Sequence, residues 1–129
     1  MKVLALDYGA VRTGVAVSDA TGTIARPLSV VERAATTDGL ARIGEIVREE
    51  EAELVVVGMP LTLRGEVGEQ ARETLAFTEA LRDVLSVPVE TYDERFTTAL
   101  AAGSGGAAEE DARAAAFLLE SFLRQAADA

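Results

Sequence analysis

The chain lacks cysteine and histidine altogether. No disulfide, thiolate metal site or cysteine nucleophile can therefore operate, nor can a histidine triad, a histidine general base or a histidine-liganded zinc. Carboxylates remain as the acid/base groups and metal ligands, and carboxylates alone select hard cations such as Mg²⁺ or Mn²⁺. Aromatic residues are few, two tyrosines and four phenylalanines without a tryptophan, so no sugar-stacking groove is evident and a two-carboxylate glycosidase fits poorly. No apolar run approaches the ~18 residues of a membrane span. The opening strand carries an acid behind a single Lys2, which is not the pattern of a secretory leader, so a cytoplasmic location is expected. Basic charge is scarce as well: 12 Lys and Arg stand against 22 Asp and Glu, a net charge of −10. A general basic coat for nucleic acid is thereby excluded, but not a nuclease whose clustered acids are neutralised by ions in use.

What is present suffices for one domain spanning residues 1–129, 49% hydrophobic and 26% charged. Val3 to Leu6 is an unbroken apolar run ending in Asp7, Tyr8 and Gly9, and Gly14 to Val17 resumes it before Ser18 and Asp19. This reads as a hairpin with an acid at its bend. An Asp beside a Gly is an ordinary turn former, yet a carboxylate at the rim of a buried strand is costly without a cationic partner. Thr21 to Thr23 make a turn, and Ile24 to Val31 add a strand that Pro27 places at an edge or a bulge. Asp38 is expected to cap a helix running to about Glu50, with Leu40, Ile43 and Val47 at helical spacing and Glu49 to Glu51 as its solvated end. Leu54 to Val57 forms a second apolar strand, closed by Gly58, Met59 and Pro60. A glycine-containing loop with Arg64 leads to a helix over 69–85 that packs through Phe77, Leu81 and Val84. Pro88 opens a strand over Val89 to Tyr92, ending in Asp93 and Glu94. Thr97 and Thr98 can cap a short helical turn before the glycines of 103–106, and a last helix over 107–125 packs through Ala115, Leu118, Leu119 and Phe122. The pattern is an α/β domain with a mixed five-stranded sheet flanked by helices.

In such sheets the site lies beyond the carboxyl ends of the strands, where Asp7, the turn at Gly58 to Pro60 and the pair Asp93 and Glu94 all fall. Asp111 extends the buried stripe of the last helix and either complements the helix dipole or reaches the same rim. Converging carboxylates raise each other's pKa unless cations sit between them. Two divalent ions about 3.5 to 4 Å apart relieve this and suit phosphodiester hydrolysis, one activating water and the other stabilising the leaving oxygen. Arg64 in the loop can pair with a phosphate, and Arg95 is either a phosphate contact or an internal ion pair. Gly9 and Gly14 have phosphate-loop spacing, but Val15 and Ala16 occupy the places of its Lys and Ser/Thr.

Three segments, LALDYGAVRTGVAVSD (4–19), VVVGMPLTLRGEVGEQA (55–71) and VETYDERFTT (89–98), together resemble the YqgF family of RNase H-like nucleases, also called RuvX. That family is described as Holliday junction resolvases or as nucleases acting at the 5′ end of pre-16S ribosomal RNA. The resemblance implies an RNase H-like fold and divalent-metal catalysis. It makes Asp7, Glu94 and Asp111 the metal ligands, with Asp93 assisting, and places Arg12, Arg64, Arg95 and Thr97 on the substrate side. It also implies a structured RNA or branched DNA as partner, with rRNA precursor processing as the first expectation. Symmetric cutting of a four-way junction would need two active sites, hence a homodimer. A non-catalytic nucleic-acid-binding module is the alternative in another class. The two-domain sugar-kinase and actin type, which uses a similar hairpin, needs more chain than is present. Two features depart from the family pattern. Ala99 to Glu110, without a Lys or Arg, is shorter than the usual linker to the last helix, and Ala10 and Val11 replace a common Thr-Lys pair; both thin out phosphate contacts.

Overall fold

The computed structural model describes residues 1–96 and 107–128. Its elements, in chain order, are β1 (Val3–Asp7), β2 (Arg12–Ser18), β3 (Ala25–Glu32), α1 (Thr37–Glu49), β4 (Leu54–Met59), α2 (Glu69–Val84), β5 (Val89–Asp93), a 3₁₀ turn (Glu94–Phe96) and α3 (Ala107–Asp128). The expected helical turn at Thr97 and Thr98 and the glycine break at 103–106 lie outside the described residues.

The strands form one mixed sheet in the order β3-β2-β1-β4-β5. β1 pairs antiparallel with β2 and β2 with β3, whereas β4 is parallel to both β1 and β5. Each side of the sheet is covered because the three inner strands, β2, β1 and β4, are buried on both faces. Leu4, Leu6, Val15, Val55 and Val57 face α1 and α2, joining Ile43, Ile46, Phe77 and Leu81. Val3, Ala5, Ala16 and Val56 face the other way, onto Ala115, Leu118, Leu119 and Leu123 of α3. The two-residue period of each strand thus feeds two separate cores. Edge strand β3 carries Pro27 beside a register irregularity between Val15 and Ala16, where a missing N–H breaks no interior ladder.

Local chemistry shifts several expected details. The α1 cap is Thr36, whose hydroxyl accepts the Gly39 N–H at 3.1 Å; Asp38 lies inside the first turn, where its charge suits the helix dipole. Glu50 is more than a solvated end, since it receives Lys2 and Arg26, each at 3.3 Å. Val84 is 55% exposed rather than packed, because Leu85, four residues beyond Leu81, takes the core-facing place as the helix ends. In α3 the fully packed residue of the last turns is Leu123. Phe122 lies at the border of that core with its ring edge-on to Tyr92, centroids 5.7 Å apart.

Candidate active site

Parallel pairing fixes where the acids go. Leu6 of β1 pairs with Val57, and Met59 pairs with Asp93, so β1, β4 and β5 end along one rim of the sheet. Asp7 is the last residue of β1 and Asp93 the last of β5, and the 3₁₀ turn then swings Glu94 back over β4. Gly58 makes room for it: a Cβ there would stand 3.0 Å from Glu94 Oε1. The antiparallel partner of Asp7 is Gly14. α3 crosses directly over that position, so close that a Cβ on Gly14 would fall 1.9 Å from the Asp111 carbonyl oxygen. First strand, fifth strand and closing helix therefore bring Asp7, Glu94 and the Asp111 backbone to one end of the sheet.

The electrostatics divide these acids into two kinds. Burial pushes the Glu94 carboxyl up to about 7, reinforced by its hydrogen bond with Asp7 and by the charges of Asp7 and Asp93. Asp7 is also raised, chiefly by burial; the hydrogen bond with Glu94 opposes this and the charge of Asp111 adds to it. Asp7 and Glu94 thus both hold their protons more tightly than ordinary carboxyls, each through burial first. Asp93 and Asp111 are instead turned to arginines. Asp93 accepts two-pronged hydrogen bonds from the Arg95 guanidinium, at 2.6 Å from Nη2 and 3.0 Å from Nε, and is held below the ordinary carboxylate range. Asp111 Oδ2 accepts from Arg12 Nε at 2.7 Å. Among the described residues no three acidic side chains close on a single point as an ion's ligands would.

The arginines expected on the substrate side have separate places. Arg12, at the start of β2, belongs to the Asp111 pair. Both partners are well exposed, 44% and 32%, and such pairs contribute only about 0–1 kcal/mol, so this one is readily exchanged for a phosphate or an ion. Arg95 is the internal pair rather than a free phosphate contact. Besides Asp93 it donates from Nη1 to the Leu63 carbonyl at 3.3 Å and lies against Gly65, whose φ is +81°. It therefore ties the β4–α2 loop to the end of β5. Arg64, on that loop, is exposed and makes no side-chain hydrogen bond among the described residues. Thr97 lies outside them.

A cavity of about 230 Å³ opens beside Asp7 and Glu94, and its far-sequence lining comes from α2: Gln70, Glu73 and Thr74. Tyr8 also lines it, its ring stacked on Phe77 with centroids 4.4 Å apart. Burial raises the Tyr8 phenol, and the neighbouring Glu73 carboxylate raises it further. Sequence reasoning passed over all four of these residues. The available signal was the spacing of 70, 73 and 74 on one helix face immediately after a loop that leaves the rim.

A family model described as "RuvX: Holliday junction resolvase" matches residues 1–125. The chain is 46% identical over 99 residues to a protein of Desulforudis audaxviator named "Putative pre-16S rRNA nuclease", covering 77% of this chain and 70% of that one. A Chloroflexus aurantiacus protein of the same name is likewise 46% identical over 99 residues, covering 77% of this chain and 65% of its own length. Among solved structures, Thermus thermophilus RuvC in complex with a Holliday junction substrate superposes with a TM-score of 0.62 at 21% identity, over 97% of this chain and 96% of RuvC. That likeness establishes the RNase H-like fold. With nearly its whole length matched and relatives at almost half identity, the chain belongs to the RuvX family of nucleases.

Proposed function

We propose that this protein is a divalent-metal-dependent nuclease that hydrolyses phosphodiester bonds in structured RNA, with the 5′ end of pre-16S rRNA as its substrate. The observation that carries the reading is the pairing of Asp7 and Glu94 in one cavity, with Asp111 alongside on a docked helix. The donor set fits a hard cation: it is all oxygen, and two partly buried neighbouring carboxylates, both raised, ionise more readily with a positive charge between them. Asp7, Glu94 and Asp111 would hold the metal, Mg²⁺ or Mn²⁺, with Asp93 kept nearby by Arg95. When bound, such an ion supplies Lewis-acid polarisation of the phosphodiester and a lowered pKa for attacking water.

The chain's own residues have distinct tasks. Glu94, whose proton is released near pH 7, frees its carboxylate under the conditions of reaction. Arg12 and Arg64 meet backbone phosphates, Arg12 by exchanging Asp111 for the substrate. Arg95 acts at one remove, setting the loop on which Arg64 stands.

Branched DNA is the second reading, favoured by the description of the matching family model and by the RuvC-like fold. The experiment that separates the two is incubation with Mn²⁺ and, in parallel, a pre-16S rRNA precursor, linear single strands and a four-way junction. Cleavage of the precursor alone is expected, lost by at least about a hundredfold on Asp7→Asn with an unchanged circular-dichroism spectrum. Binding of all substrates without any cleavage would assign the protein to the non-catalytic class instead.

A further inference from the structure

We propose that Arg12 gates the ion site: in the free protein it holds the Asp111 carboxylate, and a substrate phosphate that draws Arg12 away releases Asp111 toward Asp7, so that nucleic acid and divalent cation bind cooperatively. The inference rests on the nuclease reading and adds to it a regulation of the same site. The fold gathers the acids at one end of the sheet, yet among the described residues no three of them converge on a point. Asp7 and Glu94 are hydrogen-bonded to each other. Asp111 is the acid held elsewhere, by Arg12.

The backbone leaves Asp111 two directions. It lies against Gly14, and Gly14 is the strand partner of Asp7. Residues directly opposite in an antiparallel pair point to the same face, and so do residues two apart on one strand. Asp7, Gly14 and Arg12 therefore share the face that α3 covers, Asp7 on the neighbouring strand and Arg12 at the start of β2. Asp111 is near enough to Asp7 for its charge to act there, while its Oδ2 accepts from Arg12 Nε at 2.7 Å. Arg12 gives Asp111 that one donor, and its two Nη groups have no partner among the described residues, so a phosphate can take the two-pronged grip that Asp111 does not. Arg95 is the contrasting case, since its forked hold is on an Asp93 side chain only 15% exposed. With Arg12 in place a guanidinium stands where a cation would approach Asp111, and the two charges repel. Linkage makes the effect mutual: the factor by which a phosphate raises ion affinity is the factor by which the ion raises substrate affinity.

The test is a double-mutant cycle read by calorimetric titration of Mn²⁺ into protein without nucleic acid. Arg12→Gln is expected to bind Mn²⁺ about fivefold more tightly than the unaltered protein, and to confer no gain when added to Asp111→Asn. Its melting temperature in EDTA should be unchanged, the lost pair being exposed. In cleavage assays the Mn²⁺ concentration giving half-maximal rate should fall as precursor RNA is raised for the unaltered protein and stay level for Arg12→Gln. An equal gain in the Asp111→Asn background would overturn the gate, because loss of a positive charge would then account for it. Unchanged or weaker Mn²⁺ binding by Arg12→Gln, alongside metal-dependent cleavage by the unaltered protein, would overturn the gate and leave the nuclease standing. Absence of both Mn²⁺ binding and cleavage would overturn both.

Discussion

Glu94 is the residue whose chemistry is most displaced from its ordinary state. Its carboxyl titrates at about 7 in the fold instead of 4.5, so the native protein binds this proton more tightly than the unfolded chain does. The stability linked to it is complete below about pH 4.5 and is lost as pH rises through 7. Asp7 is shifted in the same direction. Ion-free protein should therefore melt at a lower temperature at pH 8 than at pH 5.5, and Glu94→Gln, which keeps the hydrogen-bonding shape without the titration, should flatten that slope. Saturating Mn²⁺ should restore stability at pH 8, because a cation neutralises the two carboxylates once their protons are gone. A melting temperature independent of pH across this range would refute the coupling. Asp7 stood out in the sequence because it ends an apolar strand, where a charge has no structural excuse, and Glu94 because it follows the carboxyl end of a neighbouring parallel strand. The choice of partner was not legible: which arginine meets which acid depends on rotamers that spacing does not encode, and so Arg12 went to Asp111 and Arg95 to Asp93.

At the scale of elements, two contacts hold the site together. Arg95 latches the β4–α2 loop by binding Asp93 with its forked donors and Leu63 with a third. Arg95→Ala should leave the core intact, speed tryptic cutting after Arg64 and raise KM more than it lowers kcat. Arg95→Lys should not rescue it, since an ammonium cannot reproduce the two-pronged contact. The second contact is α3 against Gly14. A methyl group there meets the Asp111 backbone, not a side chain that could turn aside. Gly14→Ala is expected to cost roughly 1–3 kcal/mol in thermal unfolding, the usual range for overpacking, and to reduce cleavage further by shifting Asp111. The strands and helices themselves were readable from periodicity, down to Pro27 on an edge. The α2 wall of the cavity was not, because Gln70 and Glu73 look like any exposed helix residues until the parallel crossover brings that helix to the rim.

For the whole molecule, the order of assembly matters as much as the order of residues. β1 to β5 with α1 and α2 make a sheet covered on one face only; Val3, Ala5, Ala16 and Val56 on the other face wait for α3. A chain cut before Ala107 should lack cleavage activity and bind a hydrophobic dye or aggregate, and a separately added peptide of residues 107–128 should reverse both to a measurable degree. No helix among the described residues is long and apolar enough to cross a membrane. The helix that shields the bare face also carries the last acid, resting against backbone at Gly14. During synthesis the second face of the sheet and the Asp111 corner of the rim are therefore completed together, because one late helix, α3, brings both.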